Sequence, residues 1–345
     1  MRKKDILFKI SCWAFLFSIM VLPGCTGESG GVTDHQTSGV QASEGMSQTE
    51  DMNKTEDMSQ TEEALIEKIM QTEEATGLIQ EEADEPMIIE ADWSNYFEEI
   101  NGAAVIYDPA ENCYQIYNQE LALTRRSPCS TFKIISSLIA LENGIIEPDN
   151  STRIWSGEVF WNEDWNKDID FSDAFHASCV WYFREVIDEI GKDMMQDELN
   201  KLQYGNCDIS DWNGELNTNN HNPALTGFWI ESSLLISPKE QVEVIERIFG
   251  DNTNYSEQTR NQLKQVMLFS ESNESDILIY GKTGMGKNYG IVVDSWFTGF
   301  ADTPEKRIYF CVYLGETENK DVSSAKAREI AVEIVSAYLN ESPIL

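Results

Sequence analysis

The sequence predicts an α+β fold, an antiparallel β-sheet flanked by helices with an added helical region. Strand-like runs lie at both ends of the stretch after Trp93, runs with helical spacing lie between them, and an amphipathic helix closes the chain. No composition break interrupts this stretch, so 89–345 reads as one catalytic-sized domain.

Ala103–Tyr107 and Cys113–Tyr117 flank Asp108-Pro-Ala-Glu-Asn112, a turn-rich link, and read as a hairpin. From Thr131 to Asn143 apolar residues fall at 132, 134, 135, 138, 139 and 141 before Gly144, the pattern of a buried helix with a glycine at its end. Pro238–Phe249 and Ser256–Phe269 read as two more helices. The period then changes to strands at Ile277–Thr283, Gly290–Ala301 and Arg307–Leu314, and Ser323–Leu339 reads as the final helix.

The N-terminal part has a different character. Residues 1–24 read as an export signal: Arg2, Lys3 and Lys4 precede an apolar stretch from Ile6 to Leu22, interrupted by Lys9 and Ser11. Leu22-Pro23-Gly24-Cys25 resembles the lipobox of bacterial lipoproteins. That resemblance implies cleavage before Cys25, a lipid on its thiol, and an exported protein held on the outer face of the cell membrane. Residues 25–88 read as a disordered acidic tether built around the hexad repeat Met46-Ser-Gln-Thr-Glu-Asp, Met52-Asn-Lys-Thr-Glu-Asp, Met58-Ser-Gln-Thr-Glu-Glu. Hexads so polar bury too little surface to offset the entropy of ordering.

Charge and composition exclude several functions. The chain of 345 residues has a formal net charge of -35, and 26–92 alone hold 18 acidic residues against two lysines. A field of that sign repels phosphate backbones, so no nucleic-acid partner is expected. Five of the seven cysteines lie beyond the leader without a CxxC pair, which signals neither a disulfide scaffold nor a metal site; free, buried thiols are the reading. With three histidines in all, a His-rich metal site is also unsupported, and no metal is expected.

The chemistry starts at Ser130 and Lys133. They stand three apart at the start of the predicted helix, so they share a face and the lysine nitrogen can lie beside the serine hydroxyl. A serine needs such a base to act as a nucleophile near neutral pH, and the N–H groups of a helix start can stabilise an oxyanion. Alone the SxxK spacing recurs by chance, but Lys282-Thr283-Gly284 follows the likely strand Ile277–Gly281, and the two motifs in this order are far more specific. His176, two before Ser178, lacks a partner acid and reads as a solvated or core residue; Cys129 reads as packing, and Tyr204-Gly205-Asn206 as a structural turn. Gly281–Gly290 lacks a following helix, so no phosphate loop is inferred.

Ser127-Pro-Cys-Ser-Thr-Phe-Lys133, Ser178-Cys-Val180, Tyr204-Gly-Asn206, Gly227-Phe-Trp-Ile-Glu-Ser-Ser-Leu234 and Tyr280-Gly-Lys-Thr-Gly284 together resemble the class D, or oxacillinase-type, serine β-lactamases. The likeness runs from about Trp93 to the C-terminus and leaves the tether out. It implies the serine β-lactamase and penicillin-binding-protein transpeptidase architecture, and hydrolysis of β-lactam substrates through a Ser130 acyl-enzyme. It further implies that Lys133 reacts with carbon dioxide, no other cofactor being needed, and serves as general base in both acylation and deacylation. Phe132 and Val180 would keep that lysine in apolar surroundings, and the Trp229 indole would hold its added carboxyl group. Ser178 would relay a proton to the leaving nitrogen, Ser130 and Met285 would supply the oxyanion N–H groups, and Lys282, Thr283 and Gly284 would face the substrate. Arg328 stands one residue out of register with the arginine that binds the substrate carboxylate in many class D enzymes; Lys326 is the other candidate. Sensor domains that acylate and stay acylated share the same motifs, as do penicillin-binding proteins, and they form the alternative reading.

Overall fold

The computed structural model describes residues 85–271, 276–318, 320 and 322–340. The leader, Cys25 and the hexad repeat lie outside them. Seven strands form one sheet in these residues: β1 (Met87–Glu90), β2 (Gly102–Asp108), β3 (Cys113–Tyr117), β4 (Leu268–Glu271), β5 (Leu278–Asn288), β6 (Ile291–Asp302) and β7 (Arg307–Gly315). Their spatial order is β1-β3-β2-β7-β6-β5-β4, antiparallel throughout except that β1 runs parallel to β3. β1 was not expected and begins ahead of the predicted start of the folded part.

The helices are α1 (Ser94–Phe97), α2 (Gln119–Ala122), α3 (Lys133–Glu142), α4 (Phe171–His176), α5 (Val180–Ile190), α6 (Lys192–Leu202), α7 (Pro238–Phe249), α8 (Glu257–Met267) and α9 (Ser324–Asn340). α7 has the predicted ends, for a local reason. Ser237 accepts from the Glu240 N–H while the Glu240 carboxylate accepts from the Ser237 N–H, and Pro238 opens the first turn. α8 stops short of its predicted end because Leu268 turns extended and pairs with Tyr280, giving the short edge strand β4. β5 runs past its predicted end at Thr283 to Asn288.

Two cores explain the layering. Along β7, Tyr309, Cys311 and Tyr313 face one side with Val105, Trp296 and Phe300, whereas Ile308, Phe310, Val312 and Leu314 face the other with Ala104, Ile106 and Phe297. A strand buried on both faces needs apolar residues at every position, which is the composition of this run. α9 covers the second face with Ala327, Ile330, Ala331, Ile334 and Val335, and α7 together with the helical region covers the first. α3 runs through that region with all residues from Lys133 to Leu141 buried. Among the described residues no helix is long and apolar enough to cross a membrane.

Asp108, at the end of β2, is fully buried and ties distant parts together: it accepts from Lys306 Nζ at 2.7 Å, Tyr338 Oη at 2.9 Å and the Ala110 N–H at 3.0 Å. Asp108→Ala should cost about 2–3 kcal/mol by leaving these donors unpaired, lowering the midpoint of thermal unfolding by roughly 5–10 °C. A melt unchanged within 2 °C, roughly the error of such a comparison, would count against this junction.

Candidate active site

A tight 3-10 turn, Cys129–Phe132, presents Ser130 immediately before α3. The turn is fixed from three directions. The Cys129 N–H donates to Trp229 O at 3.0 Å, the Trp296 indole donates to Ser127 O at 3.0 Å, and Gln241 donates to Thr131 Oγ1 at 2.9 Å. Cys129 adopts a left-handed backbone (φ +49°), a conformation that a non-glycine residue keeps only where its surroundings impose it.

The predicted pairing of Ser130 and Lys133 is present: Lys133 Nζ lies 3.0 Å from Ser130 Oγ. Lys133 is 1 % exposed, with its nitrogen 5.3 Å from the Phe183 ring centre. Burial strips solvent from the charged form and pushes the amine down to about 8, against weaker opposing influences from Cys179 and Cys129. Phe132 reinforces the apolar setting, stacked on Trp229 and edge-on to Phe228 and Tyr204. Trp229 is itself buried, with the Arg184 guanidinium 5.2 Å from its ring centre.

On the other side of Ser130, the link between α4 and α5 carries Ser178, also left-handed at φ +55°. Its Oγ accepts from Lys282 Nζ at 2.5 Å. Lys282 is buried, and the loss of solvent together with the charge of Lys133 holds it well below the usual lysine range. Thr283 Oγ1 lies 3.5 Å from the same nitrogen. Gly284 lets β5 press directly on the nucleophile turn, since a Cβ there would lie 2.9 Å from Pro128 O.

A cleft of about 410 Å³ has Ser130, Val180 and Met285 in its wall, whereas Lys133, Ser178, Lys282, Thr283 and Gly284 stand behind that wall and do not line it. The wall also includes Trp161, Trp165, Asn219, Glu231 and Lys287, none of which the sequence reading had marked as site residues. The two tryptophans, in the run Phe160-Trp-Asn-Glu-Asp-Trp165, carried the one visible signal: paired large aromatics in an otherwise polar loop.

The Arg328 guanidinium lies 4.6 Å from the Phe269 ring centre, and Phe269 packs on Phe297 of the α9-side core. Lys326 is paired with Glu329 at 3.0 Å. His176 is exposed and Cys129 is buried, its Sγ near Ser127 Oγ. The cysteines described are free, and no group of three or more His, Cys, Asp or Glu among the described residues could hold a metal. Tyr204-Gly205-Asn206 is structural: Asn206 exchanges hydrogen bonds with Leu235 and reaches Ser233 O.

The domain model of the penicillin-binding protein transpeptidase matches residues 102–336, the whole of the site and most of the sheet. The chain belongs to that family. Relatives within it fall into two kinds. The regulatory protein BlaR1 of Bacillus licheniformis is 31% identical over 247 residues, 71% of this chain but 38% of its own length, so the chain spans well under half of that relative. The β-lactamase OXA-1 of Escherichia coli is 30% identical, with 70% of this chain and 87% of the enzyme covered. Among solved structures, the C-terminal domain of the Bacillus licheniformis BlaR penicillin receptor superposes with a TM-score of 0.63 at 28% identity, covering 74% of this chain and 98% of that domain. The chain therefore has the fold of serine acyl-transfer proteins that interact with β-lactams.

Gly205 (φ +54°) is the hinge of the turn behind the site, and a Cβ there would lie 2.0 Å from Leu235 O. Gly205→Ala should cost roughly 2–4 kcal/mol. Denaturant unfolding checks this; a midpoint equal to that of the parent would rule out the turn as a fixed support.

Proposed function

We propose that the protein hydrolyses β-lactams through an acyl-enzyme on Ser130. The observation that carries this reading is the Lys133 amine, buried, 3.0 Å from Ser130 Oγ and held near the pH of its surroundings. Lys133 takes the Ser130 proton, Oγ bonds to the lactam carbonyl carbon, and the oxyanion faces the N–H groups of Ser130 and Met285. The carbon–nitrogen bond then breaks, and the proton that Lys133 took passes through Ser178, which Lys282 holds in place, to the nitrogen, leaving Lys133 free again. Lys282 and Thr283 face the substrate carboxylate. Lys133 next withdraws a proton from water, which attacks the ester, and the same proton passes to Ser130 Oγ as the ester bond breaks.

Carbon dioxide adds to neutral amines, and the burial of Lys133, which lowers its amine to about 8, favours that form. A carboxylated Lys133 would be held by the Trp229 indole. Bound there, the group supplies a carboxylate as proton acceptor. We place the protein outside the cell, anchored through a lipid on Cys25.

A receptor reading, in which Ser130 is acylated and the ester persists, draws on the likeness to BlaR1 over 71% of the chain. Both readings share the first half of the chemistry and differ in the second. Turnover of a chromogenic cephalosporin by residues 86–345 separates them. Multiple turnovers, faster with added bicarbonate and absent in Ser130→Ala, are expected; a single burst that leaves a stable adduct would replace hydrolysis by sensing. Lys133→Ala should slow acylation by at least about 100-fold, and normal turnover by that variant would remove lysine as the base. In buffer free of carbon dioxide, acylation should rise with pH to a plateau with its midpoint near 8, because deprotonation of Lys133 creates the base. A flat profile between pH 6 and 9 would contradict it.

A further inference from the structure

β4 covers β5 only as far as the pair Leu268–Tyr280, so from Gly281 onward the outer edge of β5 carries no strand. Residues of an antiparallel strand alternate in the direction of their N–H and C=O groups. At Lys287 both groups point to the open side: its N–H donates to Glu231 Oε1 at 2.5 Å, and its C=O accepts from Asn219 Nδ2 at 2.6 Å. The irregularity near this point leaves its extra residue, Val293, on β6, so the alternation along β5 continues. Met285 and Thr283 therefore also present their backbone groups to the open side. A ligand laid along this edge can pair with those two residues and then meets Lys287, whose groups are taken.

The groups that take them form a closed clasp. The same Asn219 Nδ2 donates to Glu231 Oε2 at 2.6 Å, and Asn219 Oδ1 accepts from the Tyr289 N–H at 2.7 Å. Glu231 is anchored in turn, left-handed at φ +50°, with its N–H donating to Ser127 Oγ at 2.8 Å. The far side of the same loop is held where Asn222 donates to Glu158 Oε1 at 2.6 Å. The loop thus stands where a further edge strand would lie, and it is fixed both to the β5–β6 hairpin and to the nucleophile turn.

We propose that the Asn219–Glu231 clasp is a specificity-determining stop at the acyl end of the groove. It admits substrates that extend one short acylamino side chain past the reacting carbonyl, and it rejects those that must continue along β5 beyond Met285, such as an extended peptide. Asn219 and Glu231 act as positioning residues, through the strand edge they close. The proposal rests on the reading of Ser130 as the group acylated by β-lactams.

The test measures the second-order rate of acylation, by intact-protein mass, for two penicillins: one with a compact acyl side chain and one whose side chain is lengthened by a dipeptide. Asn219→Asp sets carboxylate against carboxylate, and Glu231→Gln sets donor against donor. Each should raise the preference for the long substrate over the short one by roughly tenfold. The double variant N219D/E231Q restores a donor facing an acceptor and should return selectivity toward that of the parent, a rescue that general loosening of the loop does not produce. Asn219→Ser, which withdraws the bridge without adding charge, gives the same readout should the charged variants unfold. Adducts that form with selectivity unchanged in the single variants would overturn the clasp alone. Neither adduct nor hydrolysis by the parent protein with either penicillin would overturn the reading of Ser130 beneath it.

Discussion

An amine buried over the ring of Phe183 cannot keep the water shell that makes an ordinary lysine a cation. Much of the structure follows from placing Lys133 there. α3 must be buried along its length to carry the side chain inward, so between Lys133 and Glu142 it holds no charge and its only polar residues are Ser136 and Ser137. The turn before it must be held by backbone and indole hydrogen bonds, because Cys129 sits in a conformation that isolated chains avoid. Lys282 brings a second buried amine to the same site, where burial and then the charge of Lys133 hold it well below the usual lysine range. The lysine of the second motif also steadies Ser178.

Much of this was legible in the sequence where the cause is local. The ends of α7 follow from Ser237, Pro238 and Glu240, all within one turn, and β7 announces itself by an unbroken apolar run. Ser130, Lys133, Ser178 and Lys282 were readable because short motifs fix them. The errors have physical sources too. β5 continues through Gly284, Gly286 and Lys287, residues with little strand preference of their own, because pairing with β6 decides the matter. β4 is cut from a helical pattern by its pairing with Tyr280, and β1 needs β3 to exist. Asn219 gave no signal, and Glu231 stood in a quoted motif without a role, since their meaning lies in hydrogen bonds spanning 12, 56 and 68 residues.

Hydrolases and receptors share this site because both need the first half of the reaction. On the proposed mechanism, attack by Ser130 requires the base, the oxyanion donors and the relay, and all of them act before any ester exists. Persistence of the ester depends on whether Lys133 can act a second time with water as the proton donor. The family resemblance is therefore strong about acylation and silent about lifetime, which depends on the surroundings of one nitrogen rather than on the motif set.

The loop that closes the edge of β5 has a consequence for how such a protein could change. An uncovered strand edge is a template on which another chain can pair, and exposed edges promote association. Asn219 and Glu231 cover part of this one. Variants that widen the groove by releasing the loop would also uncover that edge, so a broader diet and a tendency to stick to other molecules would arrive together. Selection for new substrates at this site would then be limited by solubility before it was limited by chemistry.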